Sequence, residues 1–160
     1  MDVKEFRNAM GHFASGVTVI TTKDEDNFVG LTVNAFSSLS LDPAQILFCI
    51  DKGSSSLHAI KKDSPFVVNI LQDEQESVCR GFAKKGGDKF FGIDYSLSNE
   101  GIPFLKDNLA TIHCKVHEIF EGGDHLIVVG NVSDFSCNDN KDPLLFYRGK
   151  LGSFPQGSLV

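Results

Sequence analysis

The Gly-Gly-Asp step at residues 122–124 limits what this chain can become more than any other feature. It separates two runs of strand-forming residues, 110–121 and 125–137, and its residues tolerate the positive φ of a tight reversal. Long runs on either side of so short a connection pair antiparallel. In the first run Ile112, Cys114 and Val116 alternate and Ile119 falls out of step. That pattern predicts one buried face and a bulge.

The rest of the chain follows the same style. Residues 17–22 read as a β-branched strand, Asp24-Glu25-Asp26-Asn27 as a turn, and residues 28–34 as the returning arm of a hairpin. Residues 46–50 (ILFCI) are continuously apolar, which suits a strand buried on both faces. Residues 66–71 and 144–147 supply further strands, and residues 92–107 read as irregular. Helices are fewer. Asp2 with Glu5 forms a capping-box pattern, and Phe6, Met10 and Phe13 make an apolar stripe expected to pack in the core. Ser54 or Ser55 caps a predicted helix over residues 56–62, and Asp73-Glu74 open another that runs to about Phe82, with Val78 on the same face. The fold class expected is mainly β with flanking helices, a barrel in one domain spanning residues 1–160.

Bulk properties remove several functions. A net charge of −6 over 160 residues argues against nucleic acid or an anionic membrane surface as partner. No apolar run reaches the ~20 residues of a membrane span. Cys49, Cys79, Cys114 and Cys137 are widely spaced and form no CxxC, so a reduced, cytoplasmic protein without a zinc site is expected. His113 and Cys114 fall on opposite faces of one strand and cannot share a metal. His12 and His58 read as ordinary surface or core histidines. Neither a phosphate-binding loop, a nucleophile elbow nor the dinucleotide fingerprint G-x-G-x-x-G occurs.

One stretch carries chemistry. In Gly30-Leu31-Thr32-Val33-Asn34-Ala35-Phe36-Ser37-Ser38-Leu39-Ser40, a strand end gives way to a serine-rich segment read as a turn lined with donors. Hydroxyls and free amides there suit the phosphate, ribityl and ring-edge acceptors of a nucleotide-like cofactor. Asp51-Lys52-Gly53-Ser54-Ser55-Ser56 offers a second hydroxyl cluster, and residues 83–91 form a lysine- and glycine-rich loop open to solvent.

That stretch, continued through Leu41-Asp42-Pro43, resembles the flavin-binding segment of the short-chain flavin reductases, the small NAD(P)H-dependent partners of two-component monooxygenases. The resemblance covers nearly the whole chain. It takes in Phe6-Arg7-Asn8-Ala9-Met10-Gly11-His12-Phe13-Ala14-Ser15-Gly16-Val17-Thr18-Val19-Ile20-Thr21-Thr22, then Phe82-Ala83, Gly123-Asp124-His125 and Asp142-Pro143-Leu144-Leu145-Phe146. Each piece is weak alone, and their order and spacing together are specific.

The resemblance implies an FMN-binding split β-barrel, a homodimer, and FMN or FAD reduced by NADH or NADPH. It implies a flavin lying along Thr32, Val33, Asn34, Ala35 and Phe36, with Ser37, Ser38 and Ser40 on the ribityl-phosphate arm. Asp51, Ser54, Ser55, Phe82 and Ala83 line the same pocket by position, and Lys89 reaches the flavin phosphate. His125 borders the nicotinamide as the catalytic candidate. From their position after Pro143-Leu144-Leu145-Phe146, Tyr147 and Arg148 are expected to touch the pyrimidine side or the nicotinamide arm, where a cation would stabilise reduced flavin. Without a Rossmann fingerprint the nicotinamide nucleotide must share the flavin pocket. Reduced flavin then leaves by diffusion to a monooxygenase. Two other readings stay open at this point: an electron carrier that keeps its flavin, and a non-catalytic flavin- or tetrapyrrole-binding barrel.

Overall fold

The computed structural model describes residues 1–154 and Gly157. In chain order they form α1 (Val3–Met10), β1 (Ser15–Gly16), β2 (Thr18–Asp24), β3 (Asn27–Val33), β4 (Phe36–Leu41), β5 (Ala44–Asp51), β6 (Pro65–Ile70), α2 (Glu76–Ala83), β7 (Tyr95–Leu97), β8 (Pro103–Leu105), β9 (Ala110–Gly122), β10 (His125–Cys137), β11 (Leu144–Tyr147) and β12 (Lys150–Ser153). Single turns of 3₁₀ helix, Leu57–Ala59 and Asp73–Gln75, sit before β6 and α2. No helix among the described residues is long and apolar enough to cross a membrane.

Seven strands make one antiparallel sheet in the order β3-β2-β6-β9-β10-β5-β4. This order, with one short connection, determines the shape. β3 and β4 occupy opposite edges of the sheet, yet only Asn34 and Ala35 separate them in sequence. The three residue steps from Val33 to Phe36 reach about 10 Å at most. The sheet must therefore curl until its two edges come together. The amide of Cys49 donates to the carbonyl of Ala35 at 2.9 Å and pins the connection to β5. The product is a split β-barrel, open along a seam beside β3.

Curling gives the strands two apolar environments. Ile20, Phe48, Ile50, Phe66, Val68 and Val128 point into the barrel. Val17, Val19, Leu71, Phe82, Phe90 and Leu144 fill a second cluster on the outside, under α2 and the loop after it. Consecutive residues of β2, Val19 and Ile20, thus bury themselves on opposite faces. Each side chain of this size contributes roughly 1.5–3 kcal/mol on full burial. Asn69 is wholly buried between the clusters and fully satisfied. Its Nδ2 donates to the Val19 carbonyl at 2.8 Å and to Thr21 Oγ1 at 3.0 Å. Its Oδ1 accepts from the Leu105 amide at 2.8 Å and from Asn108 Nδ2 at 3.0 Å.

The long hairpin forms as its Gly-Gly-Asp step predicts. The expected bulge lies between Val116 and Glu118: these oppose the adjacent residues Gly130 and Val129, and His117 is the extra residue. Five expectations need correction. The N-terminal stripe is not core, because Phe6 and Met10 on α1 and Phe13 beyond its end are all exposed in the single chain. The helix expected over residues 56–62 is only the 3₁₀ turn Leu57–Ala59, since Ile60 is already extended as the chain bends toward β6. The serine-rich segment is not a turn but strand β4, held by pairing with β5 across a register shift between Ser38 and Ser40. Residues 92–107 are not wholly irregular: β7 and β8 pair as a small ribbon. β5 is buried on one face only, and Leu47 and Cys49 on the other are half-covered.

Candidate functional site

β3 is paired on one side only, with β2. An edge strand turns unpaired amides and carbonyls outward, and here they meet the open seam. Beyond the strand end, the amides of Asn34 and Ala35 donate to no protein acceptor among the described residues. Residues 31–35 form the floor of a cavity of about 280 Å³. One wall is the end of β5 and the loop after it, with Cys49, Ile50, Asp51, Gly53, Ser54 and Ser55. The opposite wall is the end of α2 and its following loop, with Phe82, Ala83, Lys84, Lys85 and Lys89. His125 stands at the mouth.

Local chemistry holds each wall in place. Thr32 Oγ1 donates to the Cys79 carbonyl at 2.7 Å and docks α2 against β3. Gly30 lets the Phe82 ring lie directly on the strand, where a Cβ would stand 2.4 Å from a ring carbon. Asp51 shapes the other wall: its carboxylate accepts from the Gly53 amide at 2.6 Å. His125 begins β10 directly opposite Asp51. Its Nδ1 lies 2.8 Å from the Asp124 carboxylate, and that hydrogen bond holds the Asp124 carboxyl below its usual range.

The electrostatics favour an anion. Lys89 donates to the Gly30 carbonyl at 3.0 Å and the Phe82 carbonyl at 3.1 Å, bridging β3 to α2. Burial pushes its pKa down, and no carboxylate neutralises it among the described residues. Lys84 and Lys85 likewise have no ion-pair partner among the described residues. The amides of Ser55, Lys85, Gly86 and Gly87 donate to no protein acceptor among them either. Three cations and a row of open amides thus face the cavity in a chain of net charge −6, a donor set suited to an anion.

Of the residues singled out from sequence, Thr32, Val33, Asn34, Ala35, Asp51, Ser54, Ser55, Phe82, Ala83, Lys89 and His125 line this one cavity. Phe36 instead packs its ring against the barrel core. Ser37, Ser38 and Ser40 lie along β4, paired with Leu47, Ile46 and Gln45, and Ser37 spends its hydroxyl on the Ser38 carbonyl at 2.8 Å. Tyr147 and Arg148 line a separate hollow with Ala14 and Lys150. There the Arg148 amide donates to the Gly11 carbonyl at 2.9 Å. Sequence reading missed Leu31, Cys49, Ile50, Gly53, Lys84 and Lys85. The two lysines carried a signal as immediate neighbours of Phe82-Ala83, and Leu31 and Gly53 as members of the two stretches already singled out. Cys49 and Ile50 enter through strand order, which no local pattern reveals.

Comparison with known proteins places this geometry in context. Residues 10–155 match the flavin reductase like domain family. The reductase subunit HsaB of a flavin-dependent monooxygenase from Rhodococcus jostii is 43% identical over 150 residues, 94% of this chain and 77% of that protein. A flavin reductase of Pseudomonas putida is 39% identical, covering 96% of this chain and 91% of its own. The solved structure of the NADH:FAD oxidoreductase SgcE6 of Streptomyces globisporus C-1027, in complex with NAD and FAD fragments, superposes with a TM-score of 0.93 at 31% identity. That match spans 99% of this chain and 96% of SgcE6.

Proposed function

This chain belongs to the flavin reductase like domain family, and on that premise we propose that it is an NADH-dependent flavin reductase that supplies reduced flavin to a monooxygenase component. The observation that carries the reading is the seam cavity, where an apolar floor, open amides and uncompensated lysines meet beside one histidine. A flavin supplies the hydride acceptor when bound, and NADH supplies the hydride. The protein's own part is to bring both into contact and to keep water out.

The residues divide that work. The open amides of Asn34 and Ala35 match carbonyl and nitrogen acceptors on the edge of a flavin ring, with Leu31 and Ile50 as dry surface beneath it. Lys84, Lys85 and Lys89, with the Ser54-Ser55 turn, hold phosphate. Ser37, Ser38, Ser40 and Phe36 have no part in this cavity, and Tyr147 and Arg148 belong to another face of the single chain. His125 orients the nicotinamide at the mouth, its ring held by Asp124. It acts in placement, because hydride transfer asks for no proton at that point. The single domain, a homodimeric state and a cytoplasmic location belong to the same reading. The exposed phenylalanines of the N-terminal segment and the four unpaired cysteines support the last two.

The test is NADH consumption by the purified protein with and without added FMN or FAD. Oxidation that requires added flavin and saturates with it is expected. A protein that holds flavin yet oxidises no NADH would overturn the reading in favour of an electron carrier.

A further inference from the structure

His125 has little of its own to hold it at the mouth of the cavity. It is the first residue of β10, and the Asp124 carboxylate that meets its Nδ1 is 92% exposed. An ion pair so open to water contributes little and does not fix a side chain by itself. Lys52 supplies a further restraint from a neighbouring strand. It follows Asp51, which ends β5 directly opposite His125. Its amide donates to the Asp124 carbonyl at 3.0 Å and carries the pairing of β5 with β10 one residue past the strand ends. Its ammonium donates to the Glu121 carboxylate on β9. One residue thus ties together the ends of β5, β10 and β9 around His125.

The charge of Lys52 also reaches Asp124. The hydrogen bond from His125 is the first cause that holds the Asp124 carboxyl below its usual range, and the Lys52 cation adds to it. Glu121, Lys52 and Asp124 therefore alternate in sign up to the imidazole. Lys52 is absent from the cavity lining, although its neighbours Asp51 and Gly53 belong to it. We propose that Lys52 is a positioning residue for the nicotinamide end of the site, acting through Asp124 and Glu121 to hold His125 in place. The inference rests on the flavin-reductase reading, in which His125 orients the nicotinamide.

The test is NADH oxidation at saturating flavin by the wild type, Lys52→Met, Lys52→Arg, Glu121→Gln and the double variant Lys52→Met/Glu121→Gln. The NADH KM should rise roughly two- to fivefold in Lys52→Met, the range that an exposed ion pair allows, with kcat and the flavin KM unchanged. Lys52→Arg should keep the wild-type KM. Glu121→Gln should raise it, and the double variant should be no worse than Lys52→Met, because both changes break one brace. The difference should shrink at high salt. A merely loosened fold would instead disturb kcat and the flavin KM together. That outcome, or an unchanged NADH KM in Lys52→Met, would overturn the inference. Amide hydrogen exchange over residues 122–126 supplies a readout independent of turnover, and it should quicken in Lys52→Met. A wild type that oxidises no NADH would overturn the reductase reading, and exchange alone would then decide: faster exchange in Lys52→Met keeps the brace on His125, and unchanged exchange removes it.

Discussion

Gly30 has no room for a side chain. A methyl group there would stand 2.4 Å and 2.6 Å from two carbons of the Phe82 ring, which is itself fully buried. Gly30→Ala must push α2 off β3 and disturb the two Lys89 hydrogen bonds that join them. Overpacking of this kind costs about 1–3 kcal/mol, which denaturant unfolding will read directly. The cysteines give a second residue-scale prediction. Burial pushes the Cys114 thiol up to about 12 and raises Cys79 as well, so neither forms thiolate near neutrality. Cys137 is exposed and Cys49 half-buried in the seam. Alkylation followed by mass spectrometry should label Cys137 first. Cys49 should follow more slowly and be protected by bound flavin, while Cys79 and Cys114 react only after unfolding. Labelling of Cys114 in the folded protein would contradict the packing described.

At the scale of elements, α1 carries an unfinished surface. Its N-cap is sound, with Asp2 accepting from the Lys4 amide at 2.7 Å and the Glu5 amide at 3.1 Å. The spacing of Phe6, Met10 and Phe13 was legible as one stripe, yet what the stripe packs against was not. Phe13 is 82% exposed in the single chain. Periodicity reports that a face is apolar and carries no information about which molecule covers it. If a second copy covers it, Phe6→Ser with Phe13→Ser should shift light scattering from dimer toward monomer. Folding of the chain should persist, because neither residue belongs to a core cluster. A wild-type monomer would contradict the proposed homodimer. The serine-rich segment failed differently. Ser, Asn and Asp favour turns locally, but pairing of β4 with β5 overrides that preference, and Ser37, Ser38 and Ser40 stay outside the cavity lining.

Taken whole, the molecule was legible where local rules suffice. The Gly-Gly-Asp reversal, the bulge after Val116 and the strand end at Thr32-Val33-Asn34 all follow from turn chemistry and alternation. The site needed more, because it exists only where a curled sheet fails to close. Cys49 and Ile50 reach it through the pairing of β5 with β10, and Lys84 and Lys85 through the end of α2. Tyr147 and Arg148 stay apart from it because β11 and β12 belong to a separate small sheet with β1. An anionic protein thus gathers three lysines at this cavity, and the proposed attraction of phosphate to them should weaken as salt rises.

The most direct measurement is the dependence of NADH oxidation on flavin concentration, wild type beside Lys84→Gln/Lys85→Gln. Both lysines are exposed and have no ion-pair partner among the described residues, so the substitutions should leave stability within about 0.5 kcal/mol. The account predicts saturable, flavin-dependent oxidation by the wild type. In the double variant it predicts a flavin KM raised on the order of tenfold, the equivalent of about 1.4 kcal/mol, with the difference shrinking at high salt. Identical saturation curves at low salt would contradict a phosphate cradle at the seam, and with it the proposed place of the flavin.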